Sequence, residues 1–270
     1  MKRILAVNSN CYHGFSIEEA IDGISAAGFH YIELTATKGW TEHVFPSMSF
    51  SYLASIRERL KRAGLIPFSL SGHTNLMDTA RIDDFIDNMR LAAFYHCDYI
   101  VSSIGEAHLK DNAVASNEEV ARHIRALIPA LDEYGLTLVL ENHGEHATGQ
   151  VIKTIVELVD SPRVRVNFDT ANGIFYAGAD PVADLQSCVD KTAYLHIKDK
   201  IGGPREWNFP ALGSGSVDFA ALLKILEQAG NNSPLSIEIE FTQAGPRDLA
   251  EVNAAVRQSL HTLNELGLEA

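Results

Sequence analysis

The chain has 270 residues, 46% of them hydrophobic and 21% charged, with a formal net charge of −13. An acidic balance of this size repels nucleic acid and anionic lipid, and no stretch approaches the ~20 consecutive apolar residues of a membrane span. Cys11, Cys97 and Cys188 are dispersed, odd in number and free of any CxxC pair, which fits a reducing, cytoplasmic setting rather than a disulfide framework.

The opening "MKRILAVNSN" is basic and then apolar, but Asn8 breaks its apolar run well short of a signal-peptide core of ~7–15 residues. It reads as a first strand over 3–8. Short β-like runs and amphipathic helical stretches then alternate to the end. The further strands are "YIEL" (31–34), "IPFSLS" (66–71), "DYIVSS" (98–103), "LTLVLE" (136–141), "VRVNFD" (164–169), "TAYLHI" (192–197) and "LSIEIEF" (235–241). Helices are expected between them, among them Ile17–Ala27, Phe50–Ala63, Val120–Tyr134 and Phe219–Ala229. The basic stretch "RERLKR" (57–62) falls in a helical pattern and reads as a solvated face.

The punctuation agrees with this division. Ser16 with Glu19, and Ser116 with Glu119, have capping-box spacing. Gly28, Gly64, Gly135 and Gly230 stand where helices close, each shortly before a strand. No Pro/Gly/Ser linker or low-complexity segment interrupts the series, so residues 1–270 are expected to form one domain. Eight strand–helix units imply a parallel sheet covered on both faces, and a (β/α)8 TIM barrel is the expected fold. A doubly wound open sheet is the runner-up, but no glycine-rich phosphate loop follows the first strand.

In such a barrel the chemistry lies at the C-terminal ends of the strands, where the βα loops gather. Strand 5 ends on Glu141 and strand 6 on Asp169. Strand 7 carries His196, with Lys198 and Asp199 just beyond, and strand 8 carries Glu238 and Glu240. A single carboxylate at a strand end is ordinarily a salt bridge or a helix cap, and a single histidine ordinarily a hydrogen-bonded core residue. Four such groups on successive strands converge on one point. Three clustered carboxylates repel one another at a cost of several kcal/mol, an objection that a divalent cation removes. Three carboxylates and one imidazole, with no thiolate, suit one divalent metal ion: Mn²⁺ first, with Mg²⁺, Co²⁺ and Zn²⁺ admissible.

Glu at strand 5, Asp in "DTAN" at strand 6, His in "HIKD" at strand 7 and Glu in "SIE" at strand 8 resemble the sugar phosphate isomerase/epimerase superfamily. These xylose isomerase-like TIM barrels include ketose 3-epimerases, hydroxypyruvate isomerase and inosose dehydratase, and the likeness covers essentially the whole chain. The resemblance implies metal roles for Glu141, Asp169, His196 and Glu238, with Glu141 and Glu238 also serving as acid and base. "NSPLSIE" matches the family at Glu238, which leaves Glu240 to a salt bridge nearer the loop. Two departures bear on the label of ketose 3-epimerase. Asn172 stands where those enzymes typically carry a histidine, and the arginine after the strand-7 histidine is delayed to Arg205.

Strands 5 and 8 are nearly opposite across the mouth, so a substrate would present one face to Glu141 and the other to Glu238. Return of the abstracted proton to the opposite face is epimerisation, and return at the adjacent carbon is isomerisation. Loss of a β-hydroxyl is dehydration, and the same ligand set serves all three. His73, Asn172, Lys198 and Trp207 are candidate substrate contacts. For His73 a structural core role is the alternative, for Lys198 neutralisation of Asp199, and for Trp207 and Trp40 lid or subunit packing. His143 and His146 follow Glu141 closely in its loop, and their direction is open. "LGSGSVDF" could offer backbone N–H groups to a phosphate, or be a plain helix entry with Ser216 as cap.

The expected activity is a metal-dependent isomerase or epimerase of a ketose, sugar phosphate or related carbohydrate acting through an enediolate. An inosose dehydratase-like enzyme and a non-catalytic sugar-binding barrel are the alternatives. A DNA-repair endonuclease shares the barrel and this ligand order but needs additional zinc-binding histidines, and Asn172 replaces one of them. The expected partner is a small sugar. By the resemblance, a homodimer or homotetramer is the expected assembly.

Overall fold

The computed structural model describes residues 3–105 and 115–270. Eight strands close into a barrel: β1 (Leu5–Asn8), β2 (Tyr31–Thr37), β3 (Ile66–Ser71), β4 (Tyr99–Ser102), β5 (Thr137–Glu141), β6 (Val164–Asp169), β7 (Thr192–Ile197) and β8 (Leu235–Ile237). Each pairs in parallel with the next, and β1 pairs with both β2 and β8 to complete the ring. Around it lie α1 (Ile17–Ala27), α2 (Phe50–Ala63), α3 (Ile82–Phe94), α4 (Asn117–Arg125), α5 (Ile128–Tyr134), α6 (Gly149–Val159), α7 (Asn172–Ala177), α8 (Pro181–Cys188), α9 (Phe219–Gln228) and α10 (Leu249–Glu265). The expected (β/α)8 TIM barrel is what the chain forms. Among the described residues, no helix is long and apolar enough to cross a membrane.

Successive side chains on a strand point to opposite faces, and this period aims the site. On β5, Leu138 and Leu140 pack outward against the helices while Val139 faces the barrel interior. Glu141 therefore also faces inward. On β6, Val166 and Phe168 go outward, leaving Asn167 and Asp169 inside; on β7, Leu195 and Ile197 go outward, leaving Tyr194 and His196. The floor of the interior is apolar, built by Ala6, Phe68, Val101, Val139 and Tyr194, with Phe68 and Tyr194 stacked at 5.6 Å. Polar side chains fill the layers above it.

Local sequence explains the helix ends. Ser16 and Glu19 form a reciprocal capping box, and Ser116 accepts from the Glu119 N–H. Gly28, Gly64 and Gly135 close α1, α2 and α5 in the left-handed region, with φ of 100°, 72° and 70°.

Several element ends shift from expectation, β2 for one running on to Thr37, and three differences bear on the layout of the site. The single helix expected over Val120–Tyr134 is two, because Pro129 lacks an N–H and its ring would crowd the carbonyl of Arg125. Strand 8 leaves the barrel at Ile237 rather than at 241. The chain turns there, with Phe241 at φ 59°, so that Phe241–Thr242 pairs antiparallel with Asn208–Phe209. Asp218 caps α9, not Ser216, whose hydroxyl donates to the Lys200 carbonyl at 3.1 Å.

Candidate metal centre

Glu141, Asp169, His196 and Glu238 meet at the C-terminal mouth of the barrel. All four are buried, and each offers a ligand atom within 4.8 Å of the others. Register delivers them: Asp169 stands directly beside His196 on the paired strands β6 and β7. Glu238 follows immediately after β8, its N–H donating to the Ile197 carbonyl at 3.1 Å.

Each of the four side chains is held by groups of its own. Asp169 Oδ1 accepts the backbone N–H groups of Ala171 and Asn172 at 2.8 and 2.7 Å, which starts α7. Among the described residues its buried Oδ2 has no hydrogen-bond partner, and Lys198 Nζ lies 3.6 Å away. Asn142 fixes the Asp169 backbone, accepting its N–H at 2.7 Å and donating to its carbonyl at 3.1 Å. Glu238 Oε1 accepts from the amides of Asn8 and Asn10, both at 3.3 Å. His196 Nδ1 faces Glu141 Oε1 and lies 3.6 Å from Glu238 Oε2, while Nε2 donates to Glu33 on the opposite side.

Lys198 is the counter-ion. Its buried ammonium sits 2.9 Å from Glu238, 3.3 Å from Glu240 and 3.6 Å from Asp169, above the Phe209 ring. Burial disfavours its charge, but these carboxylates hold its pKa well above the ordinary value. Burial likewise opposes charge on His196, and Glu33, Glu141 and Glu238 more than reverse that, raising its pKa. For Glu141 and Glu238 burial raises the pKa; the attraction of His196 for the first, and of Lys198 and His196 for the second, leaves both below the usual range. Asp169 goes the other way. Burial, reinforced by Glu141 and Glu238 against the pull of Lys198, lifts it to about 6. Burial and Glu238 raise Glu240 to about 7 despite Lys198.

These residues fit a divalent cation. An orphaned carboxylate oxygen, two further carboxylates and an imidazole nitrogen share one buried point, and oxygen-rich donor sets of this kind suit hard divalent ions.

A cavity of about 260 Å³ opens directly over the cluster. Every candidate contact residue lines it: His73, Asn172, Lys198 and Trp207, with Trp40, His143 and Glu240. His73 Nδ1 accepts the backbone N–H of Ser103 at 3.0 Å, so the ring proton sits on Nε2, 3.7 Å from Glu141. Asn172 Nδ2 is buried beside the cavity and has no hydrogen-bond partner among the described residues. Trp207 packs edge-on against Phe175 and Phe209, and Trp40 stacks on His13 at 4.3 Å. His143 Nε2 meets the Tyr176 hydroxyl at 3.2 Å, whereas His146 folds back to close a turn with His143. Arg205 lies over the Tyr176 ring at 5.8 Å.

Two sequence readings need correction. Asp199 is not a partner for Lys198. Its carboxylate accepts the backbone N–H groups of Lys200, Gly213, Gly215 and Val217 at 2.7–3.2 Å. The N–H groups of "LGSGSVDF" are correspondingly engaged: Asp199 takes those of Gly213, Gly215 and Val217, Ser259 Oγ that of Leu212, and the Ala211 and Lys200 carbonyls those of Ser214 and Ser216, which leaves none of these for a phosphate. Glu33, Asn8, Asn10, Asn142 and Asn167 also belong to the site, outside the set expected from the sequence. The available signal was a polar residue at an inward position of an otherwise apolar strand, as in "YIEL" and "VRVNFD".

A model of the xylose isomerase-like TIM barrel family matches residues 21–266. Inosose dehydratase of Geobacillus kaustophilus is 24% identical over 258 residues, covering 81% of this chain and 83% of that protein. Inosose dehydratase of Clostridium beijerinckii is 25% identical over 127 residues, and the match spans 42% of its length and 40% of this chain. The crystal structure of D-allulose 3-epimerase from Methylomonas sp. superposes with a TM-score of 0.77 at 19% identity, covering 98% of this chain and 99% of that one.

Proposed function

Because the chain belongs to the xylose isomerase-like TIM barrel family, we propose that it is a divalent-metal-dependent isomerase or epimerase of a ketose, sugar phosphate or related carbohydrate. The observation that carries this reading is the convergence of Glu141, Asp169, His196 and Glu238 beneath a cavity of monosaccharide scale. These four residues would hold the cation, which when bound supplies charge compensation and Lewis-acid polarisation of a carbonyl. Mn²⁺ is our first choice among Mn²⁺, Mg²⁺, Co²⁺ and Zn²⁺.

The chain's own residues do the rest. Glu141 and Glu238 rise from strands three apart and border the same cavity. A carbon lying between them can lose a proton to one carboxylate and regain one from the other on the opposite face, passing through an enediolate. His73 Nε2–H, Asn172 Nδ2 and Lys198 Nζ supply donors for substrate oxygens, and donors fixed before the reaction stabilise charge as it develops. Trp207 and Trp40 offer apolar faces to a sugar ring.

One observation favours a second reading, dehydration of a cyclic or keto sugar. Glu240 is a third carboxyl on the cavity wall, beyond what a two-carboxylate proton exchange needs. In this reading Glu240 protonates the departing hydroxyl, and the matched relatives named inosose dehydratase support it. We further propose a small sugar as the substrate, a homodimer or homotetramer as the assembly, and a cytoplasmic setting.

The test is calorimetric titration of Mn²⁺ into chelator-stripped protein, followed by a ketose screen for metal-dependent C–H exchange in D₂O. One site with exchange and an equilibrium mixture of sugars supports the isomerase or epimerase. Irreversible water loss with enone absorbance supports the dehydratase. Metal uptake without any exchange or water loss leaves a sugar-binding barrel, and no metal uptake refutes the metal reading.

A further inference from the structure

Glu33 lies wholly inside the barrel, on β2, among polar side chains just above the apolar floor. A carboxylate taken out of water there costs several kcal/mol unless its partners are well placed. Its partners are His196 and Tyr194. Glu33 Oε1 and Oε2 lie 3.0 and 3.1 Å from His196 Nε2, and Oε2 accepts the Tyr194 hydroxyl at 2.7 Å. The same hydroxyl lies 2.8 Å from Ser69 Oγ.

The donor and acceptor roles around Glu33 follow from its carboxylate. An ionised carboxylate only accepts, so Tyr194 gives its proton to Glu33 and Ser69 must donate to the Tyr194 oxygen. The imidazole must likewise place a proton on Nε2. Its other nitrogen, Nδ1, is then the atom turned toward Glu141, Glu238 and the orphaned oxygen of Asp169. Glu141 Oε1 is likewise an acceptor, against Nδ1, so the metal-free ring carries protons on both nitrogens and a cation would take the place of the Nδ1 proton. Asn167 lies beside the same nitrogen. Its oxygen accepts the His196 backbone N–H at 3.0 Å, which turns its amide nitrogen toward Nδ1 at 3.2 Å.

We propose that Glu33 is a positioning residue for the metal centre. It fixes the His196 ring and its Nε2–H tautomer, so that Nδ1 is the ligand atom, and its negative charge strengthens that nitrogen as a donor. Ser69 and Tyr194 hold the carboxylate in turn. The proposal rests on the metal reading above. It deepens that reading by naming a residue that sets affinity without touching the ion. Carboxylate–histidine–metal arrangements commonly change metal affinity by about 10–100-fold when the carboxylate is altered.

The test uses Glu33→Gln, which keeps the size and one acceptor oxygen but removes the charge. Folding is checked by circular dichroism and thermal unfolding, and Mn²⁺ affinity by calorimetry. We expect one site in both proteins, with affinity about 10–100-fold weaker in the variant. In parallel, ¹¹³Cd–¹⁵N coupling in the cadmium-loaded wild type identifies the coordinating nitrogen and does not depend on the variant folding. Coupling to Nδ1 is expected. Coupling to Nε2, or a folded Glu33→Gln protein that binds Mn²⁺ as tightly as wild type, overturns the proposal alone. A wild type that takes up neither cation overturns the metal reading, and this proposal with it.

Discussion

Replacing Lys198 with methionine removes a buried charge while keeping an apolar stem of similar length. The ammonium stands 2.9, 3.3 and 3.6 Å from three carboxylates. At an effective dielectric near 20, each contact is worth about 5 kcal/mol, most of it offset by the desolvation of the groups involved. The net cost of breaking such a buried network by deleting one partner is about 3–5 kcal/mol, and we expect that loss in urea unfolding of the metal-free variant at pH 8. Two features make the prediction specific. The loss should shrink toward pH 6. Asp169 and Glu240 are already raised to about 6 and 7, and without Lys198 they rise further and take up protons that relieve the repulsion. The sign follows from linkage: a folded state that binds more protons than the unfolded state loses stability as pH rises. The loss should also shrink under saturating Mn²⁺, because a bound cation compensates the same carboxylates and binds only the folded form. A cost below about 1 kcal/mol at pH 8, or an equal cost with and without Mn²⁺, would refute the charge-compensation argument.

The remaining expectations are shorter. Glu238→Gln should weaken Mn²⁺ binding sharply while Glu240→Gln leaves the site intact; the reverse order in calorimetry would move the strand-8 ligand. Mn²⁺ affinity should rise from pH 5 to 8, since His196 has a raised pKa and Asp169 one of about 6, and both must shed protons to bind a cation. A flat profile would contradict those shifts. Gly215→Ala should lower the unfolding free energy by about 1–3 kcal/mol, because its Cβ would fall 2.3 Å from Asp199 Oδ1 and 2.5 Å from the Lys200 carbonyl. Thermal unfolding reads this, and an unchanged midpoint would mean that the 213–217 loop is not organised by Asp199. His73→Ala should reduce C–H exchange of a responsive ketose by about tenfold or more with Mn²⁺ affinity little changed; loss of metal instead would make His73 a ligand support.

Much of the fold was legible because period-2 alternation and helix punctuation are local. The apolar residues of "LTLVLE", "VRVNFD" and "TAYLHI" fix which face of each strand meets the helices. With that face fixed, Glu141, Asp169 and His196 can only point inward. The errors came where one local signal competed with another. Pro129 lies inside an amphipathic pattern that otherwise reads as one helix, and Ser216 precedes Asp218, an equally good cap. In strand 8, alternation continues past the point where the chain leaves the barrel to pair with Asn208–Phe209.

By itself, then, the sequence determined the order of strands and helices, the inward set of side chains and the four-residue candidate cluster. Only the tertiary structure decided what those residues meet. Glu33 reaches His196 and Tyr194 across the closed barrel, from positions more than 160 residues away. Lys198 enters among the carboxylates rather than pairing with Asp199, which instead gathers the N–H groups of the following loop. Such contacts depend on ring closure and on the stagger between strands, including the register shifts at Ile32/Glu33 and Val166/Asn167. A one-residue slip would reverse the direction of every side chain on the strand, and closure brings together residues that no local pattern relates.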